Sequence, residues 1–169
     1  EFQQIHAFTD SLTGVWGAGL RRDRAESERY FYELGELEGT QWQLFGNLDW
    51  QLSRDWLLHA GAMVEKNYLT DTLVSPRLAV NYTVSPNHVL RLSAGKGYRA
   101  PTMLEGYSRE VFPNPAGGVA DIGYWSVQDL QPEAVEFVEA GYVGRYPSLG
   151  LNVDARIFSM SRSIRLPQP

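Results

Sequence analysis

Hydrophobic and polar residues alternate along most of this chain with the period of a β-strand. The clearest example is residues 39–52, where Trp42, Leu44, Leu48 and Trp50 fall on even positions and polar residues fall on most odd ones. A period of two is typical of an extended strand with two chemically different faces. The pattern predicts strands near 13–22, 40–52, 55–67, 74–84, 87–97, 135–146 and 149–160, with a weaker one at 2–9, and it predicts no helix.

The connections between these strands alternate strictly between short and long. The short ones are rich in turn-forming residues. Outer-membrane barrels place short turns at one end and long loops at the other, whereas a soluble sandwich has no reason to do so. The spacing therefore favours an all-β fold, an antiparallel up-and-down transmembrane β-barrel. The short connections are 53–55, 85–87 and 147–148, and the long ones are 23–39, 68–73 and 98–134.

The two faces of the predicted strands suit two different surroundings. Trp42 and Trp50 are eight residues apart, about 26 Å along a strand, which roughly spans the apolar band of a tilted membrane barrel. We therefore expect aromatic residues of the apolar face to lie in the membrane girdles, and charged or amide residues of the other face to line the lumen. The expected girdle residues are Trp42, Trp50, Trp56 and Tyr82. The expected lumen-facing residues are Arg77, Asn81, Arg91, Glu139 and Asp154.

Composition narrows the function classes. The chain has 169 residues, a net charge of −5 and no cysteine, which argues against a nucleic-acid partner and excludes disulfides and thiolate metal sites. No apolar run approaches the roughly 18 residues of a transmembrane helix. His6, His59 and His88 share no metal-ligand spacing, and no hydrolase or phosphate-binding motif occurs. The sequence predicts no metal, no cofactor and no enzymatic activity.

Four motifs in order between residues 75 and 141 resemble the barrel region of TonB-dependent outer-membrane receptors. A strand opens with Ser-Pro-Arg, and a later strand ends in aromatic-Arg-Ala-Pro with a glutamate shortly after. A long loop then closes with Leu-x-Pro-Glu, and the next strand carries Glu-x-Gly. The matching residues are Ser75, Pro76 and Arg77, then Tyr98, Arg99, Pro101 and Glu105, then Leu130, Pro132 and Glu133, and finally Glu139 and Gly141.

The resemblance implies more than the strand pattern does. Receptors of this family have a 22-stranded barrel filled by a plug domain, and the TonB complex pulls on the plug. Residues 1–169 would be a partial barrel, about a third of the strands, with the plug absent. The chain would lie in the outer membrane of a Gram-negative bacterium, with outer-membrane lipid, the plug and the TonB complex as partners.

The resemblance also implies a role for the long loop 98–134. In this family such loops and the plug together bind the ligand, often a ferric siderophore. Tyr107, Arg109, Tyr124 and Trp125 are the candidate ligand-binding residues, because aromatic and guanidinium groups suit an anionic or planar ligand. For Arg99 and Glu105 we expect mutual pairing or support of the loop base rather than contact with the substrate. The sequence does not identify the substrate.

Two other readings stay open at this point. A closed eight-stranded barrel with a structural or adhesive role would need strand 2–9 to pair with strand 149–160. A soluble β-sandwich binding module would need a second sheet on the apolar face. The end of the chain, 161–169, is expected to be proline-rich coil.

Overall fold

Eight strands of this chain form one antiparallel sheet in which each strand pairs with its neighbours along a simple meander. The computed structural model describes residues 1–126 and 130–163. The fold predicted from the period-two pattern is confirmed, and the weak candidate 2–9 is a full strand. The strands of this sheet, in spatial order, are β1 (Phe2–Thr9), β2 (Leu12–Ala25), β3 (Leu37–Gln51), β4 (Trp56–Lys66), β5 (Leu73–Ser85), β6 (His88–Arg99), β9 (Glu133–Tyr146) and β10 (Leu151–Ser163).

The long connection between β6 and β9 is structured, which the sequence pattern did not predict. It contains a short helix α1 (Met103–Tyr107) and a separate two-stranded sheet formed by β7 (Arg109–Pro113) and β8 (Val119–Trp125). The helix is too short to show a helical period, and register shifts interrupt the pairing of β7 with β8. The prediction of a helix-free loop over 98–134 is therefore wrong.

The apolar face of the sheet is exposed and the polar face is the sheltered one, the reverse of a soluble sheet. Leu78 and Leu92 are 49% and 58% exposed, while Ala79 and Ser93, one residue further on, are 7% and 8% exposed. The pairs Leu78–Ala94 and Ala79–Ser93 show that each face is continuous from strand to strand. A large exposed apolar face marks a surface built for lipid or for another protein. We call it the outward face and the polar, concave one the inward face.

Neither alternative architecture fits the described residues. Over that part of the chain, β1 pairs only with β2 and β10 pairs only with β9, so the sheet does not close on itself. No second sheet covers the outward face within the same residues. Residues 161–163, expected to be coil, belong to β10, and the remaining expected coil, 164–169, lies outside the described residues. No helix in the described part of the chain is long and apolar enough to cross a membrane.

The buried apolar side chains gather at the end of the sheet that carries the long connections. Phe31, Leu73, Met103 and Val111 are each less than 9% exposed, and all lie in or beside those connections. The sheet itself carries few buried side chains, because its outward face has no covering layer. This long-loop end therefore holds most of the tertiary packing, and the short-turn end holds little.

Candidate functional site

An arginine cluster closes the base of the loop between β6 and β9. Arg99, the last residue of β6, donates to both carboxylate oxygens of Glu105 at 3.0 and 3.1 Å. It also donates to both oxygens of Glu133, the first residue of β9, at 3.2 and 3.1 Å. Arg162 of β10 forms a second ion pair with Glu133 at 2.6 Å. The pairing expected between Arg99 and Glu105 is present, and it ties the two ends of the loop to one guanidinium.

Helix α1 is held at its start by a capping box. The Thr102 hydroxyl accepts from the Glu105 backbone N–H at 3.2 Å, and the Glu105 carboxylate accepts from the Thr102 N–H at 2.8 Å. The Arg99 guanidinium and then the Thr102 N–H lower the pKa of Glu105 to about 2. The Ser126 hydroxyl lies 2.6 Å from the Glu105 carbonyl oxygen and 2.9 Å from that of Gly106. Both ends of the β7–β8 segment are thus fixed close to α1.

The β7–β8 hairpin packs against the loop between β2 and β3. Phe31 and Val111 are 6% and 4% exposed at this contact. The Arg109 backbone N–H donates to the Tyr30 carbonyl oxygen at 2.8 Å. Arg29 also pairs with Glu110, with Nη2 at 3.0 Å from the carboxylate. The two long loops therefore form one packed unit rather than two independent segments.

Two of the four candidate ligand-binding residues are brought together in this unit. The Arg109 guanidinium lies 4.9 Å from the centroid of the Trp125 ring, a cation–π contact across the hairpin. Tyr124 and Trp125 are 50% and 48% exposed on β8. Tyr107 is the last residue of α1, two residues before β7 begins, and is half-buried. The hairpin thus presents Arg109 and Trp125 together, and Tyr107 belongs to the neighbouring helix.

A hollow between the same two loops contains residues that the sequence analysis did not select. It has a volume of about 740 Å³ and is lined by Arg29, Phe31, Tyr32 and Phe112, together with the acidic residues Glu26, Glu28 and Glu33. The Arg29 guanidinium lies 5.5 Å from the Phe112 ring centroid. A hint existed in the aromatic run at 30–32. Nothing local indicated that its partner would lie about 80 residues later in the chain.

The inward face of the sheet carries a second polar cluster. His59 Nδ1 lies 2.6 Å from Asp49 Oδ1, and Asn81 Nδ2 lies 2.8 Å from His59 Nε2. These contacts fit a neutral imidazole that donates to Asp49 and accepts from Asn81. All five residues expected to face the lumen lie on this face. Asn81 pairs with Arg91 in register, and the pairing of β6 with β9 and of β9 with β10 carries the same inward phase to those strands. They line a continuous polar surface with this cluster: Arg77, Asn81, Arg91, Glu139 and Asp154.

The motif residues divide between the inward wall and the loop base. Arg99, Glu105 and Glu133 meet at the loop base, as described above. Pro101 lies beside them, and its carbonyl oxygen accepts from the buried Asn67 side chain at 3.4 Å. The remaining motif residues lie elsewhere and do not join that cluster: Ser75, Pro76 and Arg77 are on β5, Tyr98 is on β6, Leu130 and Pro132 precede β9, and Glu139 and Gly141 are on β9.

The expected girdle residues all lie on the outward face. Trp56 stacks on Tyr82 with ring centroids 4.5 Å apart at the short-turn end. Trp50 lies at the same end, and Trp42 lies at the long-loop end of the same strand. Tyr142, which the sequence analysis did not select, continues the row because it pairs with Leu90 beside Tyr82. Aromatic side chains thus occur at both ends of the outward face.

An outward apolar face, a polar inward face and long loops at one end define the wall of a transmembrane β-barrel. The match to a family model is specific. The chain belongs to the TonB-dependent receptor-like β-barrel family, whose model matches residues 2–162. Members of this family are receptors and transporters of the outer membrane of Gram-negative bacteria.

Solved structures with the same fold are siderophore receptors of low sequence identity. PirA from Acinetobacter baumannii has a TM-score of 0.72 at 14% identity over 95% of this chain and 26% of that one. PirA from Pseudomonas aeruginosa has a TM-score of 0.69 at 13% identity, covering 85% and 27%. A mutant of the P. aeruginosa ferric enterobactin receptor PfeA, solved with enterobactin, has a TM-score of 0.69 at 14% identity, covering 93% and 25%. This chain therefore spans about a quarter of those chains, and no curated protein matches it.

Proposed function

We propose that this chain forms part of the wall and mouth of an outer-membrane receptor for TonB-dependent uptake of a ferric siderophore or a similar scarce nutrient. The observation that carries the proposal is the exposed outward face, with aromatic residues at both ends, in a chain of this family. The inward face would meet the plug domain, and the plug would meet the TonB complex. Outer-membrane lipid would cover the outward face. The chain would contribute structure and capture, with no enzymatic step.

The loop between β2 and β3 and the loop between β6 and β9 would together form the mouth of the receptor. Their side chains suit an anionic, aromatic ligand such as a ferric catecholate. Arg109 and Trp125 offer a guanidinium beside an exposed indole, and Tyr124 exposes a ring on the opposite face of β8. A guanidinium forms charge-assisted hydrogen bonds with oxyanions, and aromatic faces stack on catechol rings. The loops are packed before any ligand arrives, through Phe31 and Val111, so little ordering would accompany capture.

Location is tested by separating the membranes of the host that carries this gene and following the protein. Recovery of the protein in the outer membrane supports the proposal, and recovery in the soluble fraction contradicts it. Ligand capture is tested in the same host with radioactive ferric enterobactin and, separately, a ferric trihydroxamate. Gene deletion should abolish uptake of the catecholate chelate. Loss of trihydroxamate uptake instead would overturn the ligand class and leave the receptor role standing.

The loop residues are tested by binding of ferric enterobactin to whole cells without an energy source. Arg109→Ala should weaken binding about tenfold or more, because it removes a charge-assisted contact. Trp125→Ala should weaken it by a similar factor. Arg54→Ala is the matched control, since Arg54 is an exposed arginine in the turn at the opposite end. Equal binding by all three variants and the unaltered protein would remove the hairpin from the ligand site.

A further inference from the structure

A groove runs along the outward face at its long-loop end. It has a volume of about 710 Å³, and its outward side is lined by Leu78, Ala94 and Val138 from three neighbouring strands, with Ser159 from a fourth. Lys96 stands at the head of the groove, two residues beyond Ala94. A shallow apolar groove that ends at a cation has the polarity of a site for an acyl chain with an anionic headgroup.

Contacts on the outward face hold Lys96 in place. Its ammonium lies 2.8 Å from the Glu136 carboxylate and 5.3 Å from the centroid of the Tyr98 ring. An ammonium has three donors, of which Glu136 takes one and the Tyr98 side chain a second. One donor therefore remains for a second anion at the head of the groove.

Lys66 is a second cation on the outward face near the same level. It pairs in register with Trp42, is exposed, and has no ion-pair partner among the described residues. Gly95, which precedes Lys96, connects in register through Arg77 and Gly61 to Asn47. This row of paired residues is not parallel to the membrane plane, because barrel strands are tilted.

The tilt brings the two lysines to a similar height. A tilt of about 40° shifts a given membrane level by about one residue per strand. The direction of the tilt follows from the short turns. Leu57 belongs to the last residue pair between β3 and β4, and it is in register with Asn81 of β5. β5 nevertheless continues past Asn81 to Ser85, so its short turn lies further along the register than the turn between β3 and β4. Lys96 is three strands from β3, so it rises about three residues relative to its row. Both lysines then lie near the level of the Trp42 girdle.

Basic residues of the outward face are confined to this end. Among the described residues of the eight-stranded sheet, every lysine and arginine on that face lies at the long-loop end: Arg22, Arg24, Lys66 and Lys96. Arg22 and Arg24 are paired with Glu38 and Glu36, and Lys96 is paired with Glu136. Lys66 is the cation of this face without an ion-pair partner among the described residues. Aromatic residues, by contrast, occur at both ends of the face. A surface with cations at one end only is suited to a bilayer whose two leaflets differ in negative charge.

We propose that the groove binds an acyl chain of a phosphorylated glycolipid of the outer leaflet, with Lys96 and Lys66 contacting its phosphate groups. This inference rests on the proposed location in the outer membrane. Phosphate oxygens accept from ammonium donors, and long lysine side chains reach headgroups from the edge of the apolar band. The chain segment of the lipid would cover Leu78, Ala94 and Val138.

The test is the amount of phosphorylated glycolipid, here lipid A, that stays bound when the protein is purified from outer membranes and washed with detergent. Mass spectrometry quantifies the lipid per protein. Each lysine should contribute about fivefold to the affinity for lipid A. The double variant Lys66→Gln/Lys96→Gln should therefore bind lipid A about 25-fold more weakly and retain correspondingly less of it. Ala94→Trp should also reduce retention, because it fills the groove and keeps both charges. Arg54→Gln, a charge removed at the opposite end, should retain the lipid as the unaltered protein does.

Several results would overturn this inference. They are retention of lipid A by the lysine variant at the unaltered level, no retention by the unaltered protein, or equal loss in Arg54→Gln. Full displacement by inorganic phosphate would point to free phosphate as the ligand and would also overturn it. Strand content by circular dichroism confirms that each variant is folded. Absence of the protein from the outer membrane would contradict the proposed receptor function as well. Presence there without selective retention of lipid A would contradict only the proposed lipid site in the groove.

Discussion

Placing an arginine on the outward face at mid-height tests whether that face lies in lipid. Leu78 pairs with Ala60, which pairs with Leu48, and strand tilt raises Leu78 by about two residues relative to that row. It therefore lies close to the level of Gly46, halfway between Trp42 and Trp50, the expected girdle residues of β3. Leu78→Arg places a guanidinium near the bilayer centre, where it cannot reach water without distorting the membrane.

The expected cost follows from that depth. An arginine on the lipid face of an outer-membrane barrel costs about 2–4 kcal/mol at the midplane and about 0–1 kcal/mol near the interfaces. Arg77, the preceding residue, lies on the inward face and has no ion-pair partner in the described part of the chain. Arg77→Leu should therefore cost less than about 1 kcal/mol. The exchange Arg77→Leu with Leu78→Arg keeps composition and net charge, yet should cost as much as Leu78→Arg alone.

The assay is equilibrium unfolding by guanidinium of the purified protein in phospholipid vesicles, followed by tryptophan fluorescence. The three variants and the unaltered protein are compared at the same lipid ratio. A difference below about 0.5 kcal/mol between Leu78→Arg and Arg77→Leu would refute the assignment of the outward face to lipid. The exchange variant separates an effect of position from an effect of total charge.

Two further predictions concern the long-loop end. Arg99 is the main cause of the lowered pKa of Glu105. The ion pair therefore stabilises the loop base fully above pH 4.5, the ordinary pKa of this carboxyl group, and that contribution is lost as the pH falls toward about 2. Hydrogen-exchange protection of α1 should fall in that window, and Glu105→Gln should reduce the dependence and leave the part due to Glu133, whose pKa Arg99 also lowers; a flat profile in the unaltered protein would contradict it. Gly39→Ala should cost about 1–3 kcal/mol, because its Cβ would lie 2.1 Å from the Tyr68 ring. Gly46→Ala, whose Cβ would find its nearest neighbour at 4.0 Å, should be nearly neutral in thermal unfolding, and equal losses would refute the clash.

The wall was predictable from sequence because a strand repeats its surroundings every second residue. Trp42 and Trp50 fixed the outward phase of β3, and antiparallel pairing carried that phase to each neighbouring strand. The partners of inward residues were not predictable. His59 meets Asp49 and Asn81 only because three strands have one particular register, and period two is compatible with many registers.

The mouth was less predictable because its contacts join distant segments through irregular structure. Phe31 is buried against the β7–β8 hairpin about 80 residues away, and no local pattern identifies such a partner. The hairpin itself turns through Gly117 and Gly118, both with positive φ, and its register shifts hide any alternation. Arg99 and Glu105 were expected to pair from a motif, whereas Arg162 as a further partner of Glu133 was not.

The two faces of the sheet require two different surroundings. Arg77 and Arg91 lie on the inward face without an ion-pair partner among the described residues, so an apolar layer packed there would bury unpaired charges at a cost of several kcal/mol. Leu78 and Leu92, next to them in sequence, lie on the outward face, where water would leave a large apolar surface uncovered. Water or a polar, hydrogen-bonding partner satisfies the inward face, and lipid satisfies the outward one. A strand of this sheet is therefore stable only at a boundary between the two, and the wall of a barrel in a membrane is such a boundary.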